Sequence, residues 1–142
     1  MNEKHIVSLE LSKKLKEVGY PQEGEFWWVK HKKLEEWCLS DTPNRENNEF
    51  FDSSNFIRVI APLASELMER LPLSIGYIPP DIDPGYGLVI QPVADRVYVY
   101  YFNGKKEYCR VYDTNLCNAL AKMYIYLAEN KLLASRREGE VG

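Results

Sequence analysis

The sequence predicts an α+β domain: a mixed, mostly antiparallel sheet of about five strands with two to three helices packed on it. Three observations lead there. Three segments place apolar residues at helical spacing between capping residues. An Asn-Gly pair, Asn103-Gly104, joins two runs rich in β-branched and aromatic residues. Apolar residues make up 45% of the 142 positions, close to the globular average and enough for one core.

The first helix is predicted over residues 8–20, SLELSKKLKEVGY. Ser8 suits the N-cap, where its hydroxyl takes a first-turn N–H. Leu11, Leu15 and Val18 fall on one face. Gly19 permits the left-handed ending, Tyr20 falls where a Schellman motif sets an apolar contact with Leu15, and Pro21 forbids continuation. Next comes GEFWWVKHKKLEEWCL, residues 24–39, which holds all three tryptophans. Its alternation predicts a β-hairpin with a polar break at His31 to Lys33 and a second strand from Leu34 to Leu39. Neighbours on a strand point to opposite faces, so Trp27 and Trp28 cannot share a pocket. One is expected in the core with Trp37; the other is left for the surface or for cover by residues 40–55. That segment, SDTPNRENNEFFDSSN, reads as a long loop whose Phe50 and Phe51 either anchor it or meet a partner.

A second helix is predicted over residues 61–72, with Pro62 in its first turn, Leu63, Leu67 and Leu71 on one face, and Pro72 as the stop. A strand over Leu73 to Ile78, the rigid Pro79-Pro80 and a DIDPG turn lead to a strand over Tyr86 to Ile90. The runs Arg96 to Phe102 and Lys105 to Val111 form a hairpin about Asn103-Gly104. A two-residue turn there sets Tyr101 opposite Lys106, Tyr100 opposite Glu107, Val99 opposite Tyr108 and Tyr98 opposite Cys109. One face then carries Val97, Val99, Tyr101 and Tyr108, the other Tyr98, Tyr100, Phe102 and Cys109. Both are apolar or aromatic, and helices can cover only one. The third helix, residues 114–129, has Thr114 as its expected N-cap. It carries two adjoining stripes: Leu116, Leu120, Met123, Leu127 and Cys117, Ala121, Tyr124, Ala128. Residues 1–133 are read as one domain and 134–142 as a flexible tail.

Charge narrows the function. The chain has 18 basic and 21 acidic residues, a net charge of -3, which gives no general attraction to nucleic acid or an anionic membrane. No run of about 18 apolar residues occurs, and the charged N-terminus lacks the apolar region of a secretory signal. Three cysteines, an odd number at no staple-like spacing, are expected as reduced thiols. Together these point to a cytoplasmic protein.

Catalytic constellations are sparse. Cys38, Cys109, Cys117, His5 and His31 are the only soft ligands, and no pair has zinc-knuckle spacing. Asp81 and Asp83 start a stretch like a calcium loop, but Tyr86 stands where glycine is required and Pro92 where the bidentate glutamate belongs. There is no G-x-S-x-G and no Gly-rich phosphate loop. Glu25, Glu35 and Glu36 read as charges that discourage edge pairing. No catalytic residue, metal or cofactor is expected. The candidate binding residues are the aromatics of the two hairpins: Trp27, Trp28, Tyr98, Tyr100 and Phe102. Ten tyrosines suit a protein-binding surface, since Tyr offers large contact area at small entropic loss. A second reading is a small-ligand or nucleotide pocket beside the aromatic hairpins, possibly of an enzyme; a third, opposed by the acidic balance, is stacking of single-stranded nucleic acid on them.

Three segments, SLELSKKLKEVGYPQ, APLASELMERLP and NALAKMYIYLAENKLL, taken in this order, resemble a family of small uncharacterised proteins encoded by bacteriophages and prophages. The likeness spans most of residues 8–133; residues 40–55 and the C-terminal tail have no counterpart. Where such proteins often place Ser-Pro before the last helix, this chain has Thr114-Asn115, which keeps a cap. The resemblance implies a product made in the cytoplasm of an infected bacterium. It carries over no activity and no catalytic residue. The expected partner is then another protein, of host or phage, or a second copy in a homodimer.

Overall fold

The computed structural model describes residues 5–41, 56–75 and 86–133. Phe50, Phe51, the DIDPG turn and the C-terminal tail lie outside the described residues. The α+β class holds. The described strands number seven rather than about five, and they divide between two antiparallel sheets rather than sharing one.

The chain opens with α1 (Leu9–Glu17), capped as its sequence requires: Ser8 Oγ accepts from Leu11 N. At the other end Tyr20 N donates to Leu15 O at 2.9 Å and Gly19 N to Lys16 O at 3.1 Å, the two bonds of a Schellman motif. Gly19 takes φ +95°, and a Cβ there would meet nothing within 4 Å. Steric crowding by neighbours is therefore no issue, and only backbone strain would be felt. Gly19→Ala is expected to lose about 1–2 kcal/mol of stability by urea titration; an unchanged midpoint would mean that the cap is dispensable.

The first sheet has the order β2-β1-β3, from β1 (Phe26–His31), β2 (Cys38–Asp41) and β3 (Phe56–Ile60). The hairpin of β1 and β2 forms, but its second strand begins four residues later than the alternation predicts. Leu34 to Trp37 belong to the connection, where Lys33 N donates to His31 Nδ1 and Leu34 N to His31 O. His31, the first residue of the polar break, sets its ring edge against Phe56 at 5.2 Å. Strand β3, FIRVI, is absent from the sequence-based reading.

Helix α2 (Ala64–Arg70) starts three residues later than expected: Leu63 is the N-cap, its N–H met by Glu66 Oε1 at 2.9 Å, and Pro62 lies outside the first turn. Leu67 and Leu71 are buried as their spacing predicts. The second sheet then runs β4-β5-β6-β7, from β4 (Ser74–Ile75), β5 (Tyr86–Val93), β6 (Arg96–Phe102) and β7 (Glu107–Asp113). Helix α3 (Leu116–Glu129) follows, with Asn115 rather than Thr114 as N-cap; Asn115 Oδ1 accepts from Asn118 N at 3.2 Å.

The hairpin of β6 and β7 differs from its predicted register. Four residues, not two, form the connection, because Asn103 Oδ1 accepts from both Lys105 N and Lys106 N at 2.8 Å. Phe102 therefore faces Glu107 and Tyr101 faces Tyr108. A bulge between Val99 and Tyr101 then shifts the pairing, so that Val99 faces Val111 and Tyr98 faces Tyr112. Cys109 sits at this bulge with φ +48°. The extra residue turns its thiol inward, 3.6 Å from Met123 Sδ, off the face of Tyr98 and Tyr100 where the simple register would put it.

The main core joins both sheets. Trp27, Val29 and Ile60 from the first, and Val99 and Tyr101 from the second, pack with Leu120, Met123 and Leu127 of α3. Both stripes of α3 are used. Helix α3 lies on the inner face of β6 and β7, with α1 and α2 against its other sides. Tyr101 is fully buried and satisfies its hydroxyl by donating to Pro72 O at 2.8 Å. A second, smaller core forms on the opposite face of the first sheet around Trp28, Ile6 and Ala61.

Candidate functional site

The five aromatic candidates part company in the structure. Trp27 is 3% exposed in the main core, and Trp28 is 7% exposed in the smaller one. They do point to opposite faces of β1, but neither is left over for the surface. The segment Ile6-Val7 closes the far face: Val7 N donates to Pro62 O at 3.0 Å, and Trp28 Nε1 donates to Val7 O at 3.1 Å. Trp37 packs on the Trp28 side, beneath the Lys13 ammonium 5.0 Å from its ring. The first hairpin is thus structural, and its tryptophans do not form a binding platform.

Tyr98, Tyr100 and Phe102 stand at alternate positions on β6 and share the outer face of the second sheet, away from α3. This face also carries Val89 and Gln91 of β5 and Glu107, Arg110 and Tyr112 of β7, through the pairs Val89–Tyr100, Gln91–Tyr98, Phe102–Glu107 and Tyr98–Tyr112. Phe102 is 40% and Tyr112 49% exposed, whereas Tyr98 and Tyr100 are half-buried among their neighbours. The rings form a connected surface: Tyr98 and Tyr112 centroids are 5.6 Å apart, Tyr100 and Phe102 6.5 Å apart.

Cations order this surface. The Arg110 guanidinium lies 4.6 Å from the Tyr98 centroid and 4.7 Å from that of Tyr100, so it bridges two rings. It is fixed there by a bidentate pair with Glu107, at 2.9 and 2.7 Å. Hydrogen bonding from Arg110 holds the Glu107 carboxyl below its ordinary range. At the other end Arg96 and Lys122 both approach the Tyr112 ring, at 5.0 and 5.7 Å. Lys122 also pairs with Asp113 at 3.0 Å. Burial would raise the Asp113 carboxyl, but the Asn115 N–H and Lys122 outweigh it and hold it low. Tyr100 donates to Gln91 Oε1 at 3.1 Å. The tyrosines are therefore held in place rather than free to turn.

Arg110 and Tyr112 are missing from the sequence-based candidates because the two-residue-turn register gives this face to Cys109 and turns them to the other; Glu107 stands on this face, opposite Tyr100, in that register too. Arg110 and Tyr112 alternate with Val111, and that was the available signal.

Among the described residues no group of three or more His, Cys, Asp or Glu is placed to hold a metal ion. No helix among them is long and apolar enough to cross a membrane. All three cysteines are free thiols: Cys38 exposed, Cys109 partly covered and Cys117 buried. Burial pushes the Cys109 thiol up to about 12 and the Cys117 thiol up as well, so neither supplies a thiolate near neutral pH. Cys38 is expected to react first with a disulfide reagent at pH 8, and Cys109 and Cys117 only on unfolding; reductant is expected to leave the melting temperature unchanged. Fast labelling of all three, or a drop in melting temperature with reductant, would contradict this placement.

Comparison with protein families, with characterised proteins and with solved structures finds no match to this chain. The functional reading therefore rests on the residues of the chain itself.

Proposed function

We propose that this chain is a non-enzymatic accessory protein of a phage or prophage that binds another protein through the outer face of its second sheet. The observation that carries this reading is the face itself: Tyr98, Tyr100, Phe102 and Tyr112, connected, ordered by Arg110 and partly open to solvent. Rigid aromatics beside a fixed arginine are the groups that dominate protein interfaces. Charge favours a protein over a nucleic acid. Arg96, Arg110 and Lys122 are matched in number by Asp95, Glu107 and Asp113, each pair within 4.0 Å, so a phosphate backbone meets no net positive field. The resemblance of the three helical segments supports the phage setting, a place in the bacterial cytoplasm and a partner from host or phage.

Site-specific photo-crosslinking tests this. A benzophenone amino acid replaces Tyr112 in one variant and Leu34, exposed on the other hairpin, in a control. A discrete protein adduct at position 112 and none at 34 is expected. No adduct at 112, or the same adducts at both, would overturn the reading. So would tight binding of oligo-dT that a Tyr98→Ser, Tyr100→Ser variant loses, since the face would then serve single-stranded nucleic acid.

A further inference from the structure

We propose that Asn103 and Gly104 form a self-modifying site. The Gly104 nitrogen closes on the Asn103 carboxamide, ammonia leaves, and water opens the resulting succinimide to aspartate or isoaspartate. This inference is independent of the protein-binding reading above.

Of the asparagines in the chain only Asn103 is followed by glycine. Glycine has no side chain to crowd its nitrogen, and Gly104 stands in open space, with nothing within 4 Å of a Cβ built on it. No hydrogen bond among the described residues engages Gly104 N. Three features of the folded turn then act on one carboxamide. First, Asn103 Oδ1 accepts from Lys105 N and Lys106 N, both at 2.8 Å. A side chain that bonds forward to these amides lies over the Gly104 peptide between, so the carbon under attack is held beside the nitrogen that attacks it. Second, the same two N–H groups point where negative charge grows as the carbonyl becomes tetrahedral, which is the arrangement of an oxyanion hole. Third, Asn103 Nδ2, the leaving nitrogen, is buried with no hydrogen-bond partner. Its departure breaks no bond to the protein and removes a donor that is costly to leave unmet.

Hydroxide takes the Gly104 N–H proton, and the freed electron pair forms the bond from Gly104 N to Asn103 Cγ. The Cγ–Nδ2 bond breaks, Nδ2 takes a proton from water, and ammonia departs. Water then cuts the imide on one of two sides. Cleavage between Gly104 N and Cγ restores the main chain and leaves an aspartate, whose carboxylate still accepts from the two lysine amides. Cleavage between Gly104 N and the main-chain carbonyl carbon of residue 103 leaves isoaspartate, with the chain running through Cβ. That product lengthens by one atom the connection that sets Phe102 opposite Glu107, and so shifts Phe102 on the aromatic face.

Incubation of the full chain at pH 8, folded in buffer and unfolded in guanidinium chloride, tests this by intact mass and by peptide mapping. Exchange of NH2 for OH at position 103 is expected, with isoaspartate detected by an isoaspartyl methyltransferase. It is expected to run about tenfold faster in the folded chain than in the unfolded one. Asn103→Gln keeps a carboxamide but would need a larger ring; it is expected to stay unmodified at position 103 while its circular dichroism stays native. A folded chain that reacts no faster than the unfolded one overturns the inference, because the turn then adds nothing to the bare dipeptide. So does modification that maps to other asparagines with position 103 intact.

Discussion

Leu120→Ala is expected to lower folding stability by about 2–5 kcal/mol, read as a fall in the urea midpoint with an unchanged slope. Leu120 is 0% exposed, at the centre of the stripe that α3 presents to the sheets. The core cluster to which it belongs is held from several directions: Val99 and Tyr101 by the second sheet, Leu15 by α1, and Leu67 by α2. A core fastened on this many sides cannot collapse into the space left by an isobutyl group, which places the loss towards the upper part of the range. Ala119, one position away and equally buried, offers no side chain to fill the gap. A midpoint that hardly moves would show that α3 does not bury this face.

The parts of the fold readable from sequence are those set by local chemistry. Ser8, Gly19 and Tyr20 bound α1 because a cap and a left-handed glycine act within one turn of chain. The two stripes of α3 are readable for the same reason: periodicity alone assigns them. Pairing is different. Whether β1 joins β3, thirty residues on, or a strand of the second sheet depends on contacts that no local pattern encodes, and so two sheets read as one. Strand β3 carries apolar residues on both faces and follows a polar stretch, so it shows no alternation. The turn between β5 and β6 is marked by no glycine; Ala94 takes φ +54° there, a conformation its side chain disfavours. Asn103 was recognised as a turn residue, but its side chain bonds forward to Lys105 and Lys106 and lengthens the loop. That one detail, with the bulge at Cys109, decides which side chains share the outer face. The aromatic positions of β6 were thus visible from sequence, whereas the arginine that organises them was not.

Trp28→Ala is expected to lose about 3–5 kcal/mol, although the residue lies outside the main core. The indole is the largest member of the smaller cluster, against Ile6 and Ala61, with Leu9, Phe26, Leu39 and Leu63 around it. It also ties the N-terminal segment down, since its Nε1 donates to the Val7 carbonyl that Ser12 Oγ approaches at 3.4 Å. Removing the ring takes both the filling and the tether, so Ile6 and Val7 lose what they lie against. Amide exchange gives a more local view. In Trp28→Ala the Val7 N–H, now bonded to Pro62 O, is expected to exchange faster relative to the amides of α3 than it does in the parent. Trp28→Phe separates the two contributions: it keeps most of the apolar contact and loses the hydrogen bond, for about 1 kcal/mol plus a smaller packing loss. A Trp28→Ala protein with parental stability would show that the far face of the first sheet is open. That result would return Trp28 to the surface and restore it as a candidate for binding.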